Sequence, residues 1–199
     1  MVVGSGSVDP IEATYGETIP EYRGNPLIEA LRQEPGRNEL RKELGCRLKY
    51  DFDSAMAANT RQRKEMVETL KFFFVPLPRH LDLVNGIFSM IRKGYASRNP
   101  AWGDQDSRLE ASLESAGLFG PSGTGKTQSV RRILKLMPQV IHHSNYNGRT
   151  VDETQVTWIN VECPPTPRAL CASILDKTDK ILGTNYEAIY GGTRVQFRI

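Results

Sequence analysis

Long apolar runs are missing from this chain. No stretch approaches the ~18 apolar residues that a membrane-crossing helix needs, so a membrane is not an expected partner. The first residues have neither the basic head nor the apolar centre of a secretion signal. Cysteine is scarce. Cys46, Cys163 and Cys171 make an odd set without a C-x-x-C pair, and no histidine stands at ligand spacing from the last two. That excludes a disulfide framework or a zinc site and implies buried thiols in a reducing, cytoplasmic compartment. Charge of one sign is also lacking. The net charge of +3 is too small to specify a nucleic-acid partner and is compatible with one. Histidine occurs three times, and the adjacent pair His142-His143 has no third ligand nearby. These two read as strand-end residues, not a metal site.

What is present is one contiguous motif. Gly120-Pro121-Ser122-Gly123-Thr124-Gly125-Lys126-Thr127 fits the phosphate-loop pattern G-x-x-x-x-G-K-[ST] at every fixed position. Glycines let the backbone curl so that successive N–H groups point at phosphate oxygens. The helix that follows aims its positive N-terminal dipole, from Lys126, Thr127 and Gln128 onward, at the same anion. Lys126 reaches the β- and γ-phosphates, and the Thr127 hydroxyl is the expected Mg²⁺ ligand. A random chain this long would show the four fixed positions about 1% of the time. The flanks strengthen the match. An apolar run, Ala116-Gly117-Leu118-Phe119, is expected as the strand before the loop. Val130, Ile133, Leu134 and Met137 follow at helical spacing, with Pro138 as a stop.

The 199 residues leave room for one domain with a helical arm. Residues 1–20 are rich in Gly, Ser and Pro and are expected as a disordered tail. An arm spans residues 21–79. Asn25 caps a short helix begun by Pro26, which is either a docking peptide around Tyr22 and Arg23 or a helix packed on its own domain. Asn38 to Leu44 reads as a second helix ended by Gly45, and residues 54–71 as a longer one bearing Arg61, Arg63, Lys64 and Lys71. Phe72 to Pro78 is extended and broken by prolines. The core spans 80–191. Leu83, Val84, Ile87, Phe88 and Ile91 form one helical stripe, with Gly94 as the expected C-cap. Val140-Ile141 is a short strand, Asn145 to Glu153 a polar loop containing Asn147-Gly148, and Val156 to Val161 a strand. Thr166 caps a helix starting at Pro167 and ending at Gly183. Residues 192–199 carry no pattern.

ATP hydrolysis would also need an apolar strand ending in an acid to hold Mg²⁺ and polarise water. Asp152-Glu153 lacks the apolar lead-in. Glu162 ends Thr157-Trp158-Ile159-Asn160-Val161, but no second acid follows. No arginine finger can be assigned, so catalytic residues stay unknown.

Several stretches besides the phosphate loop, in conserved order and spacing, resemble the TnsC family of AAA+ transposition regulators and, more distantly, TniB. They are Tyr22 to Leu31, His80 to Tyr95 with Arg98-Asn99-Pro100, Arg132-Ile133-Leu134 with Pro138 to His143, and Leu182 to Glu187 with Tyr190-Gly191. The resemblance implies an α/β fold with an AAA+ P-loop NTPase core. It also implies ATP and Mg²⁺ as cofactors, self-assembly on DNA, and a link between target-selector proteins and a transposase. It further implies that Tyr95 to Asn99 lie near the adenine. Arg168, Lys177 and Lys180 become candidate DNA contacts, or simply a solvated basic face. Family members continue well beyond this length, so the resemblance reads the chain as an N-terminal fragment holding strands 1 and 2 of the 5-1-4-3-2 sheet. The strand at 116–119 would then lack both neighbours, and a marginal fold is expected. Two other readings stay open. One is a small complete P-loop phosphotransferase using Glu162. The other is a non-catalytic module whose arm docks partners.

Overall fold

The computed structural model describes residues 9–96, 98, 114–162 and 164–190. The expected patternless tail at 192–199 and Cys163 lie outside them. The fold is mixed α/β, and the chain divides into two compact units. One is drawn from Met1–Arg32, Lys93–Ser112 and Met137–Ile199, the other from Gln33–Arg92 and Leu113–Leu136.

The first unit is built on a three-stranded sheet in the order β1-β2-β3. Strand β2 (Val140–Tyr146) pairs antiparallel with β3 (Arg149–Val156). Asn147-Gly148 closes the hairpin with φ of 50° and 79°. Positive φ at both central residues gives the mirror-image turn that matches strand twist. The segment expected as a polar loop is therefore a hairpin. The register slips between His143 and Asn145, and Asp152 takes up the extra residue at φ 51°. Strand β1 (Ile11–Glu12) pairs parallel with β2, Ile11 opposite Ile141. Part of the expected tail is thus a sheet edge.

The core of this unit holds Ile28, Leu31, Met137, Val140, Ile141 and Tyr146, together with the polar side chains of Asn25, His143, Gln155 and Thr157. Helix α1 (Pro26–Glu29) is capped by Asn25, as its sequence implied. The expected strand beyond Val156 does not form. Thr157 instead donates through its backbone to Gln139 O at 2.9 Å and through its hydroxyl to Pro138 O. Helix α7 (Pro167–Leu182) begins on the Thr166 cap and ends at Gly183 in the left-handed region, as read. Asp179 then accepts from the Thr184 hydroxyl and from the amides of Tyr186 and Glu187, starting α8 (Tyr186–Tyr190).

The second unit is helical. Helix α2 (Arg37–Leu44) buries Leu40 and Leu44 and stops at Gly45. The helix expected over 54–71 is two, α3 (Phe52–Ala57) and α4 (Thr60–Thr69). The break is chemical. Asn59 and Gln62 each accept the other's backbone N–H, a capping box that starts a new helix. Cys46 and Phe74 exchange backbone hydrogen bonds at 2.9 Å. Helix α5 (Pro78–Ala96) buries His80, Leu81, Val84 and Phe88 and runs through Gly94 without the expected cap there. Helix α6 (Lys126–Leu134) buries Ser129 and Ile133.

The expected strand at 116–119 is absent. Residues 114–120 are coil and every one is exposed. Strand pairing is non-local, and no described strand pairs with this segment. Among the described residues, no helix is long and apolar enough to cross a membrane.

Candidate functional site

The phosphate-loop residues come together as a curl at the start of α6. Gly120, Gly123 and Gly125 have φ of 153°, 80° and 79°. These backbone angles suit glycine and strain any other residue. Gly125 is the N-cap, so the helix begins on Lys126. Among the described residues the first-turn amides of Lys126, Thr127 and Gln128 have no acceptor. Such amides, aligned with the helix dipole, are ready to bind an anion.

Lys126 is turned into the curl. Its Nζ donates to Gly120 O at 2.7 Å and to Pro121 O at 2.6 Å. An ammonium has three donors, so one remains for a ligand. Thr124 Oγ1 also donates to Pro121 O, at 3.0 Å, and Ser129 Oγ donates to Gly125 O at 2.9 Å. The loop is thus tied at both ends by its own side chains. Ser122, Thr127 and Gln128 are exposed on it.

A cavity of about 370 Å³ opens beside the loop. Thr124 and Lys126 line it, and so do Leu118 and Phe119 from the coil before the loop. Arg79, His80 and Leu83 of α5 line it too, and among the described residues no acidic side chain takes part. These α5 residues were missed in the sequence, because only tertiary folding brings them to the loop. The trace that was there is His80 falling four residues before Val84 on the buried stripe. Leu77 N–H donates to His80 Nδ1 at 2.9 Å, and His80 N–H donates to Leu77 O at 2.9 Å. This reciprocal pair fixes the ring, which also packs on Phe74 with centroids 5.0 Å apart. Burial, with Arg79 beside it, holds the imidazole below its usual pKa. The neutral ring then carries its proton on Nε2.

The other candidates fare differently. Glu162 is exposed coil in the first unit, and Asp152 and Glu153 are exposed on β3. Tyr95 spends its hydroxyl on Val156 O at 2.6 Å, while Tyr95 O and Arg98 O both accept from Asn25 Nδ2. Ser97 and Asn99 lie outside the described residues. Lys180 pairs with Asp176 at 2.7 Å on α7, and Arg168 is exposed. His143 is wholly buried with both nitrogens engaged, by Tyr15 and Gln155, which is a structural role.

Comparison with known proteins adds no relative: no family model matches the chain, and no curated protein matches it.

Proposed function

We propose that the chain binds ATP with Mg²⁺ at residues 120–128 and works as an AAA+ regulator of DNA transposition of the TnsC kind. In that role it links target-site selection to the transposase. The observation that carries nucleotide binding is the curl itself: Lys126 lies inside it, at the start of a helix whose first amides are open. Loop amides and the ammonium would hold the phosphates, and the Thr127 hydroxyl would hold the metal, which when bound neutralises phosphate charge. DNA, the transposase, the target selectors and self-assembly rest on the resemblance alone.

The test is a calorimetric titration of ATP into the full chain, with and without Mg²⁺. Saturable binding is expected, tighter with the metal and at least about tenfold weaker in Lys126→Ala. Absence of saturable binding would sink the reading. Its DNA half is checked by co-sedimentation of chain and duplex DNA, expected only with ATP present.

One observation favours a second reading, that the arm docks a partner. Val67, Leu70, Phe72, Phe73, Val75 and Leu77 are all exposed in the second unit. That reading expects partner capture to survive Lys126→Ala.

A further inference from the structure

The phosphate loop supplies one cation, whereas a nucleoside triphosphate carries several negative charges. The cavity beside the loop has a second cation in its wall. Arg79 is exposed, and among the described residues its guanidinium makes no hydrogen bond or ion pair. Its neighbour His80 is only 8% exposed and lines the same cavity. Nδ1 of that ring is occupied by the Leu77 amide. The ring proton is therefore on Nε2, and among the described residues that N–H has no partner. Among the described residues the wall holds two cations, one imidazole donor and no carboxylate, which is the chemistry of a polyanion site.

We propose that Arg79 and His80, on the first turn of α5, form a second wall of the phosphate-loop site and bind the polyphosphate of the same nucleotide that Lys126 holds. The inference rests on the nucleotide reading given above and extends it to residues outside the motif. Arg79 gives a forked, permanently charged contact, and His80 gives one directional hydrogen bond. Because Leu77 and Phe74 fix the imidazole, that donor is in place before the ligand arrives. Occupancy of the site then bears on the start of α5 as well as on α6.

The experiment is a titration of ATP and Mg²⁺ into the full chain, its Arg79→Gln variant and its Lys126→Ala variant. Imidazole ¹⁵N spectra are recorded alongside. Only three histidines are present, so assignment is direct. Arg79 is exposed, and Arg79→Gln is expected to melt with the parent. Its ATP affinity is expected to fall about tenfold to a hundredfold, with a weaker dependence on salt. His80 Nε2 is expected to shift on titration. Unchanged ATP affinity in Arg79→Gln, with Lys126→Ala impaired, would overturn this inference and leave the nucleotide reading standing. An unmoved His80 resonance at saturation would remove His80 from the wall. If the parent chain binds no ATP, both readings fall together.

Discussion

Asparagine and aspartate cap helices about equally well, so Asn25→Asp is close to neutral if capping is all that the residue does. The structure says otherwise. Asn25 is 2% exposed. Its Oδ1 accepts from Leu27 N–H at 3.0 Å, and its Nδ2 donates to Tyr95 O and to Arg98 O, each at 3.2 Å. Aspartate keeps the cap, loses both donors and sets a buried negative charge against two carbonyl oxygens. The expected cost is about 2–4 kcal/mol, no smaller than that of Asn25→Ala. Urea denaturation of the two variants decides it. Asp behaving like the parent would mean that the amide contacts contribute nothing. The cap was legible in the sequence because it is local. The two carbonyls were not, because they lie about seventy residues further along the chain.

At the scale of elements, the β2–β3 hairpin hinges on two residues. Gly148, at φ 79°, has no atom within 4 Å of where a Cβ would stand, so space is not its constraint. Backbone conformation is. Gly148→Ala is expected to cost about 1 kcal/mol, and Asn147→Gly close to nothing, read as shifts in denaturation midpoint. The Asn-Gly pair is a strong turn signal, yet the sequence of the strand after it has the polar look of a loop. The reason lies in its inward face. At the position facing Ile141, β3 carries Gln155 where an aliphatic residue would be expected. Gln155 can be buried there because its Oε1 meets His143 Nε2 at 3.0 Å and its Nε2 donates to Leu27 O at 3.0 Å. Polar burial satisfied by partners far away in sequence leaves no hydrophobic alternation to detect. Helix α7 is the contrary case. Thr166, Pro167 and Gly183 mark its ends with chemistry that acts within a turn. The candidate site divides in the same way. The loop is a contiguous motif and could be read directly, but Arg79 and His80 join it only through the packing of α5.

Across the whole molecule, acid is expected to act on both units, each through one histidine. His143 lies in the first unit, and its pKa is held down chiefly by burial, with His142 adding to the effect and the Gln155 hydrogen bond opposing it. Gln155 Nε2 is committed to Leu27 O, so Gln155 Oε1 must accept and the His143 proton sits on Nε2. His143 Nδ1 then accepts from the Tyr15 hydroxyl at 3.1 Å. In the second unit, His80 Nδ1 accepts from the Leu77 amide. Protonating that nitrogen would set donor against donor. Both rings thus titrate lower when folded than at the unfolded value of about 6.5. Between the folded and unfolded pKa values, the unfolded chain binds more protons, so stability rises with pH across that window. The contribution is complete above about pH 6.5 and is lost as pH falls through the folded values. The carboxyls of Glu12 and Asp51 are lowered by hydrogen bonds from Ser144 and Ser54. Their losses come only below about pH 4, which leaves the histidine window separate. At the other extreme, burial and the Glu29 carboxylate push Tyr146 up to about 12. Its contribution is present below about pH 10 and is lost as pH rises through the folded value. Urea midpoints measured at pH 7, 6 and 5 are therefore expected to fall stepwise. Probes of β2 and of α5 should both report the loss, and His143→Gln should flatten the response of β2 alone. A profile level from pH 7 to 5 would mean that neither imidazole is held neutral by the fold, which would contradict the hydrogen bonds that place their protons.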